Sequence, residues 1–164
     1  MKSLLLVRHA KSSWDSPSLQ DFDRPLNDRG NRDAETMSQR IFNRKADIDV
    51  FVTSTALRAL TTARYFIKAF EAKKERVIEL PDLYHATPGV MYNVIRQLND
   101  DFKSAALFSH NPGITEMVNT LEVAKLDNMP TCGVFAIRAD VEKWADFRDA
   151  PKQFWFFDYP KLQQ

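Results

Sequence analysis

Cysteine is almost absent from this chain, which carries a single residue of that type among 164. One thiol cannot form an internal disulfide, and it cannot supply the paired cysteines of a CxxC motif or of a Cys/His zinc framework. The residue, Cys132, precedes the apolar stretch 134–137. We therefore predict that it is buried at the end of a strand and has no redox or metal role.

Long hydrophobic runs are lacking as well. The longest, such as residues 4–7, are only a few residues long, whereas a membrane-spanning helix needs about 20 apolar residues. The N-terminal apolar stretch ends at Arg8 and is too short for a secretory signal peptide. From these two absences we expect no membrane segment and a cytoplasmic location.

Neither sign of charge dominates, because 23 basic and 22 acidic residues give a net charge of +1. A nucleic-acid-binding protein usually has a basic excess or stripe, so we expect no nucleic-acid partner. The apolar content of 44% is that of an ordinary globular protein. A chain of 164 residues is long enough for one domain and short for two, so residues 1–164 are expected to form one domain.

Stretches with strand and helix periodicity alternate along the chain. The predicted strands are residues 2–7, 50–53, 77–80 at a sheet edge, 105–108, 133–137 and 154–157, and the predicted helices are residues 30–45, 55–72, 90–98 and 112–121. For the last helix, Asn111 is the expected N-cap and Pro112 the first helical residue. This order predicts an α/β fold of three αβα layers, with a mostly parallel sheet and helices on both faces.

Histidine and arginine follow three of the predicted strands. Arg8 and His9 come directly after residues 2–7, Arg58 falls in the first helical turn after residues 50–53, and His110 follows residues 105–108. Ligands of open α/β sheets bind beyond the carboxyl ends of the strands, and parallel strands share that edge. We therefore expect these four side chains to lie close together.

This set of side chains suits a phosphoryl group. Guanidinium groups bind phosphate oxygens in pairs, and the helix that starts after His110 adds free N–H donors. A neutral imidazole can attack phosphorus and form a phosphohistidine. Each residue alone could equally be structural or form a surface ion pair. A zinc site is the chemical rival, but it needs a third ligand nearby, and adjacent arginines would repel the metal.

Three motifs, in order and spacing, resemble those of the histidine phosphatase superfamily, also called phosphoglycerate mutase-like. They are Leu-Leu-Val-Arg-His-Ala-Lys at residues 5–11, Ser-Thr-Ala-Leu-Arg-Ala at residues 54–59 and Ser-His-Asn-Pro-Gly at residues 109–113. Residues 24–27 and Gly30 resemble the turn into its first helix. The Arg-His-Ala-Lys and His-Asn-Pro forms and the chain length are most similar to the SixA-type phosphohistidine phosphatases.

The resemblance implies a role for particular residues. It implies His9 as the nucleophile, Arg8, Arg58 and His110 as the phosphate pocket, and Lys11 and Asn111 as further contacts at the pocket edge. It implies no metal and no organic cofactor. Many larger members carry an acidic proton donor where this chain has His85, with Asp82 close by. We therefore treat His85 as a candidate proton donor and expect Asp82 to lie in a solvated loop.

Substrate expectations follow from the missing acid and from the chain length. A phosphoramidate that leaves as imidazole needs less protonation than an alcohol, which favours phosphohistidine as substrate. Residues 59–109, between the second arginine and second histidine motifs, leave little chain for a cap domain. An uncapped pocket can admit a side chain of a protein and favours hydrolysis over phosphoryl shuttling. Alternatives are a small phosphate ester as substrate or a catalytically silent phosphate-binding domain, although binding alone would not need a nucleophile.

Overall fold

A central six-stranded sheet organises the computed structural model, which describes residues 1–162. The strands are β1 (Lys2–Arg8), β2 (Val50–Thr53), β3 (Val77–Glu79), β4 (Ser104–Ser109), β5 (Val134–Ala139) and β6 (Lys152–Asp158). The helices are α1 (Asp28–Asn43), α2 (Leu57–Ala69), α3 (Pro88–Arg96) and α4 (Gly113–Thr120). Every predicted strand and helix is therefore present, with ends displaced by a few residues. Within residues 1–162, no helix has the length and apolar character needed to cross a membrane.

The strands follow the order β3-β2-β4-β1-β5-β6 across the sheet. Neighbours among β3, β2, β4 and β1 are parallel, whereas β5 runs antiparallel to β1 and β6 antiparallel to β5. The predicted edge position of residues 77–80 is confirmed, because β3 is the outermost strand on its side. The sheet is thus mixed, with four parallel strands out of six, as the predicted mostly parallel sheet requires, and these four end at one common edge.

Both faces of the sheet are covered by helices. Leu4 and Leu6 of β1 pack in the apolar cluster that contains residues of α3 and α4, whereas Leu5 and Val7 pack in the cluster with α1 and α2. Successive side chains of a strand point to opposite faces, so residues 4–7 of β1 must all be apolar to fill both clusters. The predicted three-layer αβα architecture is confirmed.

Two glycines allow helices to approach loops that carry residues of the candidate site. A Cβ at Gly30, in the first turn of α1, would lie 2.0 Å from the carbonyl oxygen of Lys11. A Cβ at Gly113, the first residue of α4, would lie 1.9 Å from the carbonyl oxygen of Ala86. Only a residue without a side chain permits either approach. These contacts bring the backbone of Lys11 against the start of α1 and the backbone of Ala86 against the start of α4.

The start of α4 differs from its prediction by one residue. The helix begins at Gly113, and Pro112 is its N-cap, so Asn111 lies outside the helix and Pro112 is not the first helical residue. The Asn111 amide oxygen accepts a hydrogen bond from Thr115 Oγ1 at 2.6 Å, and its nitrogen donates to Asn128 Oδ1 at 2.6 Å. Because the side chain is held by these two groups, it caps no backbone N–H.

Candidate active site

The parallel strands end at the same level, which places the predicted motifs side by side. Arg8, the last residue of β1, pairs with Ser109, the last residue of β4. Thr53, the last residue of β2, pairs with Phe108 of β4. The residues that follow these strands therefore emerge next to one another, as the sequence predicted. His9, the residue that follows β1, is held at this edge of the sheet, because its backbone N–H donates a hydrogen bond to the Ser109 carbonyl oxygen at 3.2 Å.

The His9 imidazole has one nitrogen held and one available. Its Nδ1 lies 2.7 Å from the carbonyl oxygen of Ala10, an acceptor that requires a proton on Nδ1. The proton position is thus set by the backbone, and Nε2 keeps its lone pair. That lone pair accepts a hydrogen bond from Arg58 Nε at 3.4 Å. His9 is 7% exposed, so the ring is fixed in place and Nε2 has the lone pair of a nucleophile.

Burial, helped by the positive charges of Arg58 and Arg8, lowers the pKa of His9 to about 3. The hydrogen bond to the Ala10 carbonyl acts in the opposite direction but does not outweigh burial. The imidazole is therefore neutral at physiological pH. A neutral ring is required for attack on phosphorus, because protonation would occupy the lone pair.

His110 lies beside His9, with the ring centroids 5.1 Å apart. Its Nε2 is 2.8 Å from Ser54 Oγ, the side chain that follows β2. Its Nδ1 is buried and has no hydrogen-bond partner among the described residues. Burial, followed by the charges of His9 and Arg58, lowers the pKa of His110 to about 3. The second histidine is therefore also neutral at physiological pH.

Arg58 is held by Asp21, a residue of the 11–29 loop. Arg58 NH1 donates to the Asp21 carbonyl oxygen at 2.6 Å, and NH2 donates to its carboxylate at 2.9 Å. Tyr84 Oη donates to the same carboxylate at 2.5 Å. Although partial burial acts the other way, the hydrogen bonds from Tyr84 and Arg58 hold the pKa of the Asp21 carboxyl well below its usual range. Asp21 therefore stays ionised and orients the guanidinium beside His9.

A second arginine from the same loop borders the site. Arg24 forms an ion pair with Asp21 at 3.1 Å and donates to Ser12 Oγ at 2.9 Å. The indole of Trp14, which is 71% exposed, lies 3.5 Å from the Arg24 guanidinium carbon. A cation stacked on an aromatic face is attracted to it. The loop thus adds both a charge and an aromatic surface to the rim.

These side chains enclose one cleft of about 440 Å³. Its lining is Arg8, His9, Lys11, Ser12, Trp14, Asp21, Arg24, Arg58, His85, His110, Asn111 and Thr131. All seven residues singled out from the sequence are in this list. The lining is rich in cations, as expected for a site that binds an anion. The cleft therefore has the composition of a phosphate site with a buried imidazole in its wall.

Comparison with known families agrees with this geometry. The family model of the histidine phosphatase superfamily (branch 1) matches residues 4–125, which is most of the chain. The chain belongs to this superfamily. The match covers the strands and turns that carry the Arg-His motif, the second arginine and the second histidine.

Relatives with sequence and structural similarity are consistent with that assignment. An uncharacterized protein of Mycobacterium tuberculosis is 30% identical over 151 residues, which is 85% of this chain and 90% of the relative. A SixA protein from Agrobacterium tumefaciens superposes with a TM-score of 0.82 at 24% identity, covering 97% of this chain and 99% of its own. The protein histidine phosphatase SixA in complex with tungstate superposes with a TM-score of 0.81 at 20% identity, covering 96% of this chain and 97% of the SixA chain. The two SixA structures share the fold of this histidine phosphatase.

The candidate proton donor of this histidine phosphatase lies at the rim of the cleft. His85 is exposed, has a φ of 58° and stacks on Tyr84 with the ring centroids 3.9 Å apart. Asp82, which the sequence placed near the donor position, lies exposed in the turn Pro81–Leu83 and does not line the cleft. The structure therefore brings His85, and not Asp82, to the site.

Sequence reasoning missed Asp21, Arg24 and Ser54 as residues of this histidine phosphatase site. The available signal was the length of the 11–29 loop, since long ordered loops are often functional. It did not show which of the loop's charged residues turn inward. Among residues 1–162, no cluster of three or more histidine, cysteine, aspartate or glutamate side chains could hold a metal ion. The positive charge that faces the cleft comes from Arg8, Lys11, Arg24 and Arg58.

Proposed function

We propose that this chain is a phosphatase that transfers a phosphoryl group to His9 and then to water. The observation that carries this proposal is the fixed, neutral imidazole of His9, whose unprotonated Nε2 faces Arg58 in a cleft that Arg8 also lines. Nε2 attacks the phosphorus atom, a new N–P bond forms, and the bond from phosphorus to the leaving group breaks. The Ala10 carbonyl accepts the hydrogen bond of Nδ1–H and stabilises the ring as it gains positive charge.

Arg8, Arg58 and His110 are the groups that we assign to phosphate binding. Arg58 Nε already points at His9 Nε2, so its guanidinium lies where phosphoryl oxygens collect negative charge during transfer. Arg8 NH1 is anchored on the Met129 carbonyl at 2.7 Å, while Arg8 Nε is buried without a partner in the described chain. Buried nitrogens without partners are rare in proteins and call for a ligand, water or strain as the explanation. A bound phosphate would supply the missing acceptors.

The second half of the reaction hydrolyses phosphohistidine 9. Water attacks phosphorus and gives up a proton to solvent, the N–P bond breaks, and the electron pair returns to Nε2, which restores the neutral imidazole and releases inorganic phosphate. The leaving group of the first half takes a proton from solvent or from His85 at the rim. Lys11 and Asn111, which also line the cleft, contact the outer edge of the phosphoryl group.

We further propose phosphohistidine in a protein as the substrate. The cleft is open, and residues between Arg58 and His110 form only α2, β3, α3, β4 and short turns, so we infer a single domain without a cap. A protein side chain can enter such a cleft, and its imidazole leaves without a strong acid. The likeness to the structures named SixA, one of them titled a protein histidine phosphatase, supports the same substrate class.

The nucleophile is tested by His9→Ala together with an alkaline, denaturing quench of the wild-type enzyme during turnover of a phosphorus-labelled aryl phosphate. We expect the variant to lose turnover while it stays folded and still binds vanadate. The trapped wild-type label should be stable in base and labile in acid, as phosphohistidine is. Near wild-type turnover by the variant, or an acid-stable label, would exclude His9 as the nucleophile.

The substrate class is tested by kcat/KM for a phosphohistidine peptide, an aryl phosphate and an alkyl phosphate. We expect the first two to exceed the alkyl ester by about 10²–10⁴-fold, the usual contribution of general acid catalysis. Equal rates on the alkyl ester would favour a small-molecule phosphomonoesterase. Absence of turnover and of trapped label with all three, with phosphate still bound, would indicate a binding domain.

A further inference from the structure

A second, strongly basic cavity adjoins the catalytic cleft. It has a volume of about 310 Å³ and is lined by Arg8, Lys11, Arg29, Asn128, Pro130, Thr131, Tyr159, Pro160 and Lys161. Four of these residues are cations and none is acidic. The chain as a whole has a net charge of only +1, so this concentration is local. We call this cavity the basic subsite.

The basic subsite and the catalytic cleft share a wall. Arg8, Lys11 and Thr131 line both cavities, whereas His85 and Asp21 line only the catalytic one. The basic subsite therefore lies across Arg8 and Lys11 from the rim that holds the candidate proton donor. A molecule whose phosphoryl group faces His9 can reach the basic subsite by extending over Lys11.

The cations at the outer end of the basic subsite are poorly neutralised. Lys161 is exposed and has no ion-pair or hydrogen-bond partner among residues 1–162. Arg29 is 46% exposed and has a single carboxylate partner there, Asp33, at 3.4 Å. Exposed ion pairs of this length contribute little to the free energy of folding, so another anion can replace Asp33 as the partner of Arg29 at small cost. The uncharged polar side chains of the lining, Asn128, Thr131 and Tyr159, can add hydrogen bonds.

We propose that the basic subsite binds an acidic side chain of the protein that carries the phosphohistidine. This inference rests on the proposed function and deepens it. The two outermost cations, Arg29 and Lys161, are exposed and are therefore reachable by the surface of another protein. Attraction between opposite charges at an exposed site mainly speeds association and orients the two partners. The basic subsite would therefore select substrates by the residues that flank the phosphohistidine.

The test uses two phosphohistidine peptides that differ only in the flanking residues, aspartate and glutamate in one, asparagine and glutamine in the other. For the wild-type protein we expect a higher kcat/KM with the acidic peptide. Lys161→Gln should lower kcat/KM for the acidic peptide by about two- to fivefold, the range of one exposed ion pair. The amide peptide should be unaffected. Lys161→Gln combined with Arg29→Gln should remove most of the preference.

Matched controls separate the basic subsite from general electrostatics and from the proposed function. Lys73→Gln removes an exposed lysine between α2 and β3 and should leave the acidic-to-amide ratio unchanged. Raising the salt concentration should reduce the ratio in the wild type. A wild-type ratio near one, or a ratio that Lys161→Gln and Lys73→Gln change equally, would overturn the basic subsite. Failure to hydrolyse either peptide, with an aryl phosphate still turned over, would overturn the protein substrate itself.

Discussion

The two neutral histidines should make the protein sensitive to mild acid. His9 and His110 have pKa values lowered to about 3 by burial, whereas in the unfolded chain a histidine has a pKa of about 6.5. Below pH 6.5 the unfolded state therefore binds protons that the folded state does not. Stability is fully present above pH 6.5 and is lost as the pH falls from there towards 3.

The loss in the free energy of unfolding can be calculated from the pKa of histidine in the unfolded chain. Between pH 7.5 and 5.0 each histidine removes RT ln(1 + 10^1.5), about 2 kcal/mol, from the free energy of unfolding. The result does not depend on the folded pKa so long as it stays well below 5. The two histidines together account for about 4 kcal/mol, a large part of the stability of a typical domain.

The assay is urea denaturation at pH 7.5 and 5.0 in a phosphate-free buffer, since phosphate would stabilise the folded state. We expect the wild type to lose about 4 kcal/mol, His9→Gln or His110→Gln to lose about 2 kcal/mol, and the double variant to lose little. A wild type equally stable at both pH values would refute the reasoning. A double variant that loses as much as the wild type would place the sensitivity elsewhere in the chain.

Four further outcomes are expected. A chelator should leave turnover unchanged, because arginines supply the positive charge; loss of turnover restored by Zn²⁺ or Mg²⁺ would contradict this. Asp21→Asn removes a negative charge beside Arg58, so the inhibition constant of inorganic phosphate at low salt should fall about two- to fivefold. Unchanged or weaker inhibition would show that orienting the Arg58 guanidinium is a larger effect of Asp21 than its negative charge. Gly30→Ala should reduce the free energy of unfolding by about 1–3 kcal/mol, because its Cβ would meet a backbone oxygen; Gly89→Ala, with its nearest neighbour 3.8 Å away, is the control and should cost nothing. His85→Ala should lower kcat/KM for phosphohistidine less than about tenfold, and a drop of 10²-fold or more would make it an essential donor.

The succession of strands and helices, and the sheet edge at which the site lies, can be predicted from the sequence alone. Those features depend on local patterns, because a buried parallel strand is apolar at every position and a helix repeats every 3.6 residues. The residues that follow such strands are then brought together by the sheet. For that reason the positions of Arg8, His9, Arg58 and His110 in the sequence are enough to predict that they share one cleft.

The surroundings of those four residues depend on how distant parts of the chain pack together. Asp21 and Arg24 lie in a loop without periodicity, and nothing local shows that one of them reaches Arg58 while Trp14 covers the other. The antiparallel direction of β5 and the one-residue shift of α4 likewise depend on long-range contacts. The lowered histidine pKa values arise from burial, and the basic subsite draws residues from three distant parts of the chain. Both are properties of the folded molecule, because distance and solvent exclusion are set by packing and not by neighbours in sequence.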